Sequence, residues 1–115
     1  MLRPFAPLIF CTLPLSAADI SGAWKLDGNI ADVHINRVCI LKQTGNKLSG
    51  SCKNQMNDLA LTGIVDGKNI SWTYDSTYEG EKVTLVFKGT LESDAAMKGS
   101  IDTQGVAGAF TATKQ

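Results

Sequence analysis

Residues 39–52, CILKQTGNKLSGSC, decide the fold. Apolar and polar residues alternate on either side of Gly45-Asn46, and a cysteine stands at each outer end. A two-residue loop at Gly45-Asn46 sets Thr44 opposite Lys47, Gln43 opposite Leu48, Leu41 opposite Gly50 and Cys39 opposite Cys52. Counting outward from a hydrogen-bonded pair beside the loop, the cysteines fall on a non-bonded pair, the type with the closer Cα atoms. That geometry suits a disulfide. The reading is therefore a stapled hairpin, in which so short a covalent loop contributes roughly 3 kcal/mol on the chain-entropy account.

The disulfide sets the compartment, and the start of the chain agrees with it. Residues 1–18, MLRPFAPLIFCTLPLSAA, carry one positive charge at Arg3, an apolar centre, and small residues at Ser16 and Ala18. This is the pattern of a secretory signal peptide, with Cys11 discarded inside it. The apolar stretch is shorter than the roughly 20 residues of a spanning helix, and Pro4, Pro7 and Pro14 interrupt it, so no transmembrane segment is expected. The expectation is a secreted or periplasmic protein whose residues 19–115 form one small domain. Lys and Arg number 11 against 11 Asp and Glu, with no basic run, so nucleic acid is not an expected partner.

Strands follow one another along the remaining chain. Residues 19–26 bring the first, with a Gly-x-Trp entry, and Asp27, Gly28 and Asn29 read as the turn that ends it. Residues 33–43 and 47–53 form the stapled hairpin, and Asn54, Gln55, Asn57 and Asp58 a polar loop. The Asp66-Gly67 pair reads as the loop of the next hairpin, which sets Gly63 against Ile70, Leu61 against Trp72 and Leu59 against Tyr74. Residues 76–81 read as a loop, Glu92-Ser93-Asp94 as a turn, and Gln104-Gly105 as a last hairpin loop that sets Gly99 against Phe110 and Met97 against Ala112.

A large apolar residue, any residue, then glycine recurs at 48–50, 61–63, 87–89 and 97–99. Period-2 alternation puts each glycine on the same face as the large residue, the interior. Interior glycines suit strands that bend sharply to close a small barrel. Eight short strands with tight connections and no helical period thus predict an all-β, eight-stranded antiparallel up-and-down barrel, with a two-sheet sandwich as the structural alternative.

Gly22-Ala23-Trp24 at the first strand, the meander of hairpins, and the closing Phe110-Thr111-Ala112-Thr113-Lys114 resemble the lipocalin and calycin barrels, in particular small bacterial exported members. The resemblance spans nearly all of residues 19–115. It implies that Trp24 closes one end of the barrel beside Lys114, and that the interior takes a small apolar or amphipathic ligand. The Gly-x-Trp start and early disulfide also resemble secreted bacterial metalloprotease inhibitors, whose N-terminal arm would correspond to residues 19–21. The avidin family shares the start too, but its pocket uses several tryptophans, and only Trp24 and Trp72 occur here.

Candidate chemistry is sparse. His34 is the single histidine, without a Cys, His or carboxylate cluster at metal-ligand spacing, so neither a metal nor another cofactor is expected. No nucleophile-elbow serine or phosphate-binding glycine loop is present, and the protein reads as non-catalytic. Asp75 and Glu79 read as solvated loop charges or, together, as the lining of a barrel mouth, and Asn69-Ile70-Ser71 matches a glycan acceptor with Asn69 and Ser71 outward. Trp72, Tyr74, Phe87 and Phe110 are the aromatic residues placed to border a pocket, or to fill the core with no ligand at all. Arg37 points inward in phase with Cys39 and Leu41, as a mouth cation able to meet an anionic head, or else it marks a bulge. Val38 and Ile40 then point outward. Two functions remain open: a binder of a small apolar or amphipathic ligand through these five residues, and a protein-binding or inhibitory module working through its loops or N-terminal arm.

Overall fold

The computed structural model describes residues 19–53 and 58–115; the expected signal segment 1–18, with Cys11, and residues 54–57 of the expected polar loop lie outside the described residues. Alternation of period two runs through the chain from residue 22 to residue 114, and it is expressed as eight strands: β1 Gly22–Ile30, β2 Val33–Thr44, β3 Lys47–Lys53, β4 Asp58–Asp66, β5 Asn69–Tyr78, β6 Glu81–Ser93, β7 Ala96–Thr103 and β8 Val106–Lys114. Each pairs antiparallel with the next, and β8 returns to β1, so the sheet closes into an up-and-down barrel rather than a sandwich. Closure gives every strand a neighbour on both sides.

The stapled hairpin has the register read from its sequence, with Thr44 opposite Lys47, Leu41 opposite Gly50 and Cys39 opposite Cys52. The two cysteines are bonded, and both are fully buried. The last hairpin also follows its expected register, Gly99 facing Phe110 and Met97 facing Ala112.

Elsewhere the strands run further than expected. β1 continues through Asp27, Gly28 and Asn29 to Ile30, and the turn is Ala31-Asp32. Gly28 is not a turn residue: a Cβ there would lie 2.9 Å from Phe110 Cβ and 3.1 Å from Ile101 Cδ1, so the absence of a side chain lets β1 lie close to its neighbours. Asp58 opens β4 rather than ending a loop, and Ser76, Thr77 and Tyr78 belong to β5, which turns at Glu79-Gly80, with Glu81 beginning β6. Both turn residues there have positive φ, 52° and 82°, the pattern of a type I′ hairpin. The turn placed at residues 92–94 is Asp94-Ala95, reached through a register irregularity between Leu91 and Ser93.

The β4–β5 loop is Gly67-Lys68, one residue later than expected, so Gly63 faces Trp72 and Leu61 faces Tyr74. Gly67 has φ 61° while Lys68 is not in the left-handed region, which places glycine at the first loop position as a type II′ turn requires. An Asp-Gly loop of type I′ would instead need positive φ at Asp66. The one-residue move of the loop shifts facing pairs by two, so every side chain keeps its face.

The interior is continuous. Trp24, Leu26, Leu41, Leu48, Leu61, Ile70, Trp72, Tyr74, Phe87, Met97, Ile101 and Phe110 are all buried in one cluster. The large residue of each large-x-glycine triplet, Leu48, Leu61, Phe87 and Met97, is part of it.

Candidate ligand cavity at the mouth of the barrel

The two ends of the barrel are built differently. At the end bearing the 45–46, 67–68 and 94–95 turns, Trp24 is fully buried, and its indole Nε1 donates to the Ile20 carbonyl oxygen at 2.8 Å. Ile20, only 1% exposed, donates its backbone N–H to Gln43 Oε1 at 3.0 Å, and the Gln43 N–H donates to Ser21 Oγ at 2.9 Å. Trp24 faces Lys114 in the β1–β8 register, and Lys114 Nζ reaches the Asp19 carbonyl oxygen at 3.5 Å. Residues 19–21 are therefore bonded into this end of the barrel as its plug.

The opposite end, bearing the Ala31-Asp32, Glu79-Gly80 and Gln104-Gly105 turns, holds a cavity of about 260 Å³ open to solvent. This is just under the size typical of small-molecule pockets, roughly 300–1,000 Å³. Its walls are mainly aliphatic: Ile30 from β1, Val33 and Ile35 from β2, Val83 and Leu85 from β6, and Val106 from β8. Tyr78 and Val106 stand at the rim, 53% and 45% exposed. The lining includes Ser76 and Thr103 but no carboxylate, and Arg37 is its only charged side chain among the described residues.

Arg37 points inward because β2 pairs with β1 without a break in register from Val33 to Leu41, which rules out a bulge at this position. Along β2 from the mouth, the lining residues are Val33, then Ile35, then Arg37, so the cation lies at the inner end of an apolar wall. Its guanidinium carbon is 5.7 Å from the centroid of the Tyr74 ring, within the range of a cation–π contact. Arg37 Nε and the Tyr74 hydroxyl are both buried without a hydrogen-bond partner among the described residues, as is Thr103 Oγ1 on the cavity wall. Burial pushes the Tyr74 phenol above its ordinary pKa, partly opposed by the Arg37 charge beside it. The phenol is thus protonated at neutral pH and does not neutralise Arg37.

The four aromatic residues singled out from the sequence come together, but in the core. Trp72 stacks on Phe87 with centroids 5.2 Å apart and planes 9° from parallel, and Phe110 meets both edge-on at 5.7 and 5.3 Å. Tyr74 lies 5.4 Å from Phe87 and is the member that Arg37 covers. Trp72 and Phe87 each sit one inward position further from the mouth than Tyr74 and Leu85, and the cavity lies outside this packed layer.

Asp75 faces outward, where it accepts from Thr84 Oγ1 at 2.6 Å and pairs with Lys82 at 3.3 Å, and Glu79 lies in a turn; neither lines the cavity. His34 sits on the outer surface, 2.6 Å from Asp27 Oδ1. Val38 and Ile40 are exposed on the outer face, as their parity requires. The wall residues Ile30, Val33, Ile35, Val83, Leu85 and Val106 were not singled out from the sequence. Their signal is the same period-two parity that marks the core, continued to the true strand ends.

Comparison with solved structures agrees with this architecture. The chain shares its fold with a redesigned β-barrel. The two align with a TM-score of 0.61 at 13% identity, over 84% of this chain and 91% of the other. No protein-family model matches the chain, and no curated protein matches it.

Proposed function

We propose that this protein is an exported, non-catalytic barrel of the lipocalin-like kind that holds a small apolar or amphipathic molecule in the open cavity, with Arg37 as its polar handle. The observation that carries this reading is the contrast between the two ends. One is stoppered by Ile20 and Trp24, whereas the other holds an open cavity whose described lining is an aliphatic wall with a single cation at its inner end. An eight-stranded barrel is just wide enough to be filled by side chains or to hold one small ligand. Here the aromatic layer fills the middle and the cavity lies beyond it at the mouth, which supports the second alternative there. The buried Cys39–Cys52 disulfide fits an oxidising compartment, and the pattern of residues 1–18 fits export to it.

Trp72 and Tyr74, close to the cavity, offer an intrinsic signal. Titrating the purified protein with a panel of short amphiphiles and following tryptophan emission should give saturable one-to-one binding that a substitution on the cavity wall, Val83→Glu, abolishes. Absence of saturable binding across the panel, with native mass spectra showing only bare protein, would remove the proposal.

A further inference from the structure

Charge is unevenly spread over the outside of the barrel. The whole stapled hairpin, from Val33 to Lys53, contains no carboxylate. On its outer face Val38 lies between Lys25 of β1 and Lys53 of β3, Ile40 comes next between Ala23 and Ser51, and Lys42 follows on β2. Val38 and Ile40 are 37% and 44% exposed, so two apolar side chains stand in water with three lysines around them. The ion pairs formed by the described residues join His34 to Asp27, Lys82 to Asp75 and Lys98 to Glu92, and none of the three lysines takes part. On the adjoining strands here, Asp27 is held by His34, and Asp58 faces Lys53 across the β3–β4 pair.

The mouth of the barrel has the opposite character. Tyr78 and Val106 expose apolar surface at its rim. Around them stand four exposed carboxylates: Asp32 in the β1–β2 turn, Glu79 in the β5–β6 turn, Glu81 at the start of β6 and Asp102 near the end of β7. Among the described residues at this end the lysines are Lys82, tied to Asp75, and Lys53, which belongs to the hairpin face.

We propose that the mouth of one copy of this protein seats on the outer face of the stapled hairpin of a second copy, Tyr78 and Val106 against Val38 and Ile40, with the rim carboxylates among Lys25, Lys42 and Lys53. An apolar centre inside a polar rim is the usual anatomy of a protein interface. Opposite charge on the two rims steers the encounter and fixes which surface meets which. Like surfaces do not pair: hairpin face on hairpin face would oppose lysines to lysines, and mouth on mouth would oppose carboxylates to carboxylates. The contact is therefore heterologous. Each copy in a pair keeps one surface of each kind free, so assembly continues past two copies until a ring closes or a chain runs on. Neither Arg37 nor any occupant of the cavity enters this contact, so it stands or falls apart from the ligand reading.

The test is sedimentation of the purified, oxidised protein. At low salt and up to about 1 mM protein, where even a weak contact is populated, the parent should reach an average mass above that of two copies. In about 1 M salt, where charges are screened within about 3 Å, it should return to a single copy. Ile40→Glu sets an anion against the rim, and Tyr78→Lys sets a cation against the hairpin face. Each variant should remain a single copy at low salt while melting close to the parent, since both side chains are exposed. An equimolar mixture of the two should associate again, because the intact mouth of the first fits the intact hairpin face of the second. A parent that stays single at every concentration would overturn the proposal, as would a mixture that stays single. Assembly that stops at two copies, or that Ile40→Glu abolishes and Tyr78→Lys leaves intact, would overturn it in favour of a symmetric contact between hairpin faces. A parent that stays single but sediments with vesicles of anionic phospholipid, and loses this with Ile40→Glu, would overturn it and assign the hairpin face to a membrane surface.

Discussion

The edge of the Phe110 ring stands over Gly89: a Cβ built on Gly89 would lie 3.1 Å from Phe110 Cζ and 3.3 Å from Met97 Sδ. Gly99, the residue that faces Phe110 across the β7–β8 pair, instead has its missing side chain directed at the Lys88 carbonyl oxygen and the Gly89 backbone. Two interior glycines on paired strands therefore do different things. Gly89 makes room for a ring, while Gly99 lets two backbones approach.

Substitution at the two positions separates these roles. Gly89→Val overfills the aromatic layer and should lower stability by about 1–3 kcal/mol in a urea melt. Gly99→Val meets backbone that cannot rotate away, so its loss should be the larger of the two. Lys98→Val, on the outer face, removes only an exposed ion pair with Glu92 and should change stability by less than about 1 kcal/mol.

The Cys39–Cys52 bond closes a short loop inside the core. Intact mass before and after reduction should differ by the two hydrogens of one disulfide. Replacing both cysteines by alanine should cost about 2–5 kcal/mol in the melt. Alkylation of both thiols in protein purified without reductant would contradict the structure.

Trp24 holds the plugged end through the bond from its indole to the Ile20 carbonyl. Trp24→Phe keeps most of the apolar volume but leaves that carbonyl without its donor, and should be destabilising by about 1–3 kcal/mol. Trp24→Ala also opens a cavity, and about 3–5 kcal/mol should be lost. Hydrogen exchange at residues 20–24 should rise in both variants, with no change at residues 30–35 at the far end.

Tyr74 gives a pH dependence with a definite sign. Its phenol has a folded pKa raised above the unfolded value, chiefly by burial, so the stability of the protonated form is fully present below the unfolded pKa, roughly 10, and is lost as pH rises through the folded value. Parent protein should therefore lose melting temperature above about pH 10 more steeply than Tyr74→Phe. At neutral pH the same substitution deletes a buried hydroxyl with no partner and should be close to neutral for stability. If the alkaline limbs of the two proteins coincide, another group is responsible.

The sequence by itself determined the barrel, because its signals are local and redundant. Alternation marks the inner face of each strand, and an error of one residue in placing a loop, as at Gly67-Lys68, shifts facing pairs by two and leaves every side chain on its side of the sheet. The stapled hairpin was legible for the same reason: once the Gly45-Asn46 loop is placed, Cys39 can face only Cys52. Strand ends were less legible. Asp27, Gly28 and Asn29 have turn-forming composition, yet they are held in β1 by pairing to both β2 and β8, and pairing on both sides outweighs local preference. What only the tertiary structure decided is which inward residues touch one another and which touch water. Trp72, Tyr74, Phe87, Phe110 and Arg37 all point inward by parity, but parity says nothing of height along the barrel axis once eight tilted strands are staggered around it. That stagger gathers the four aromatic rings into a solid layer and leaves Arg37 above Tyr74 at the base of an open, aliphatic mouth.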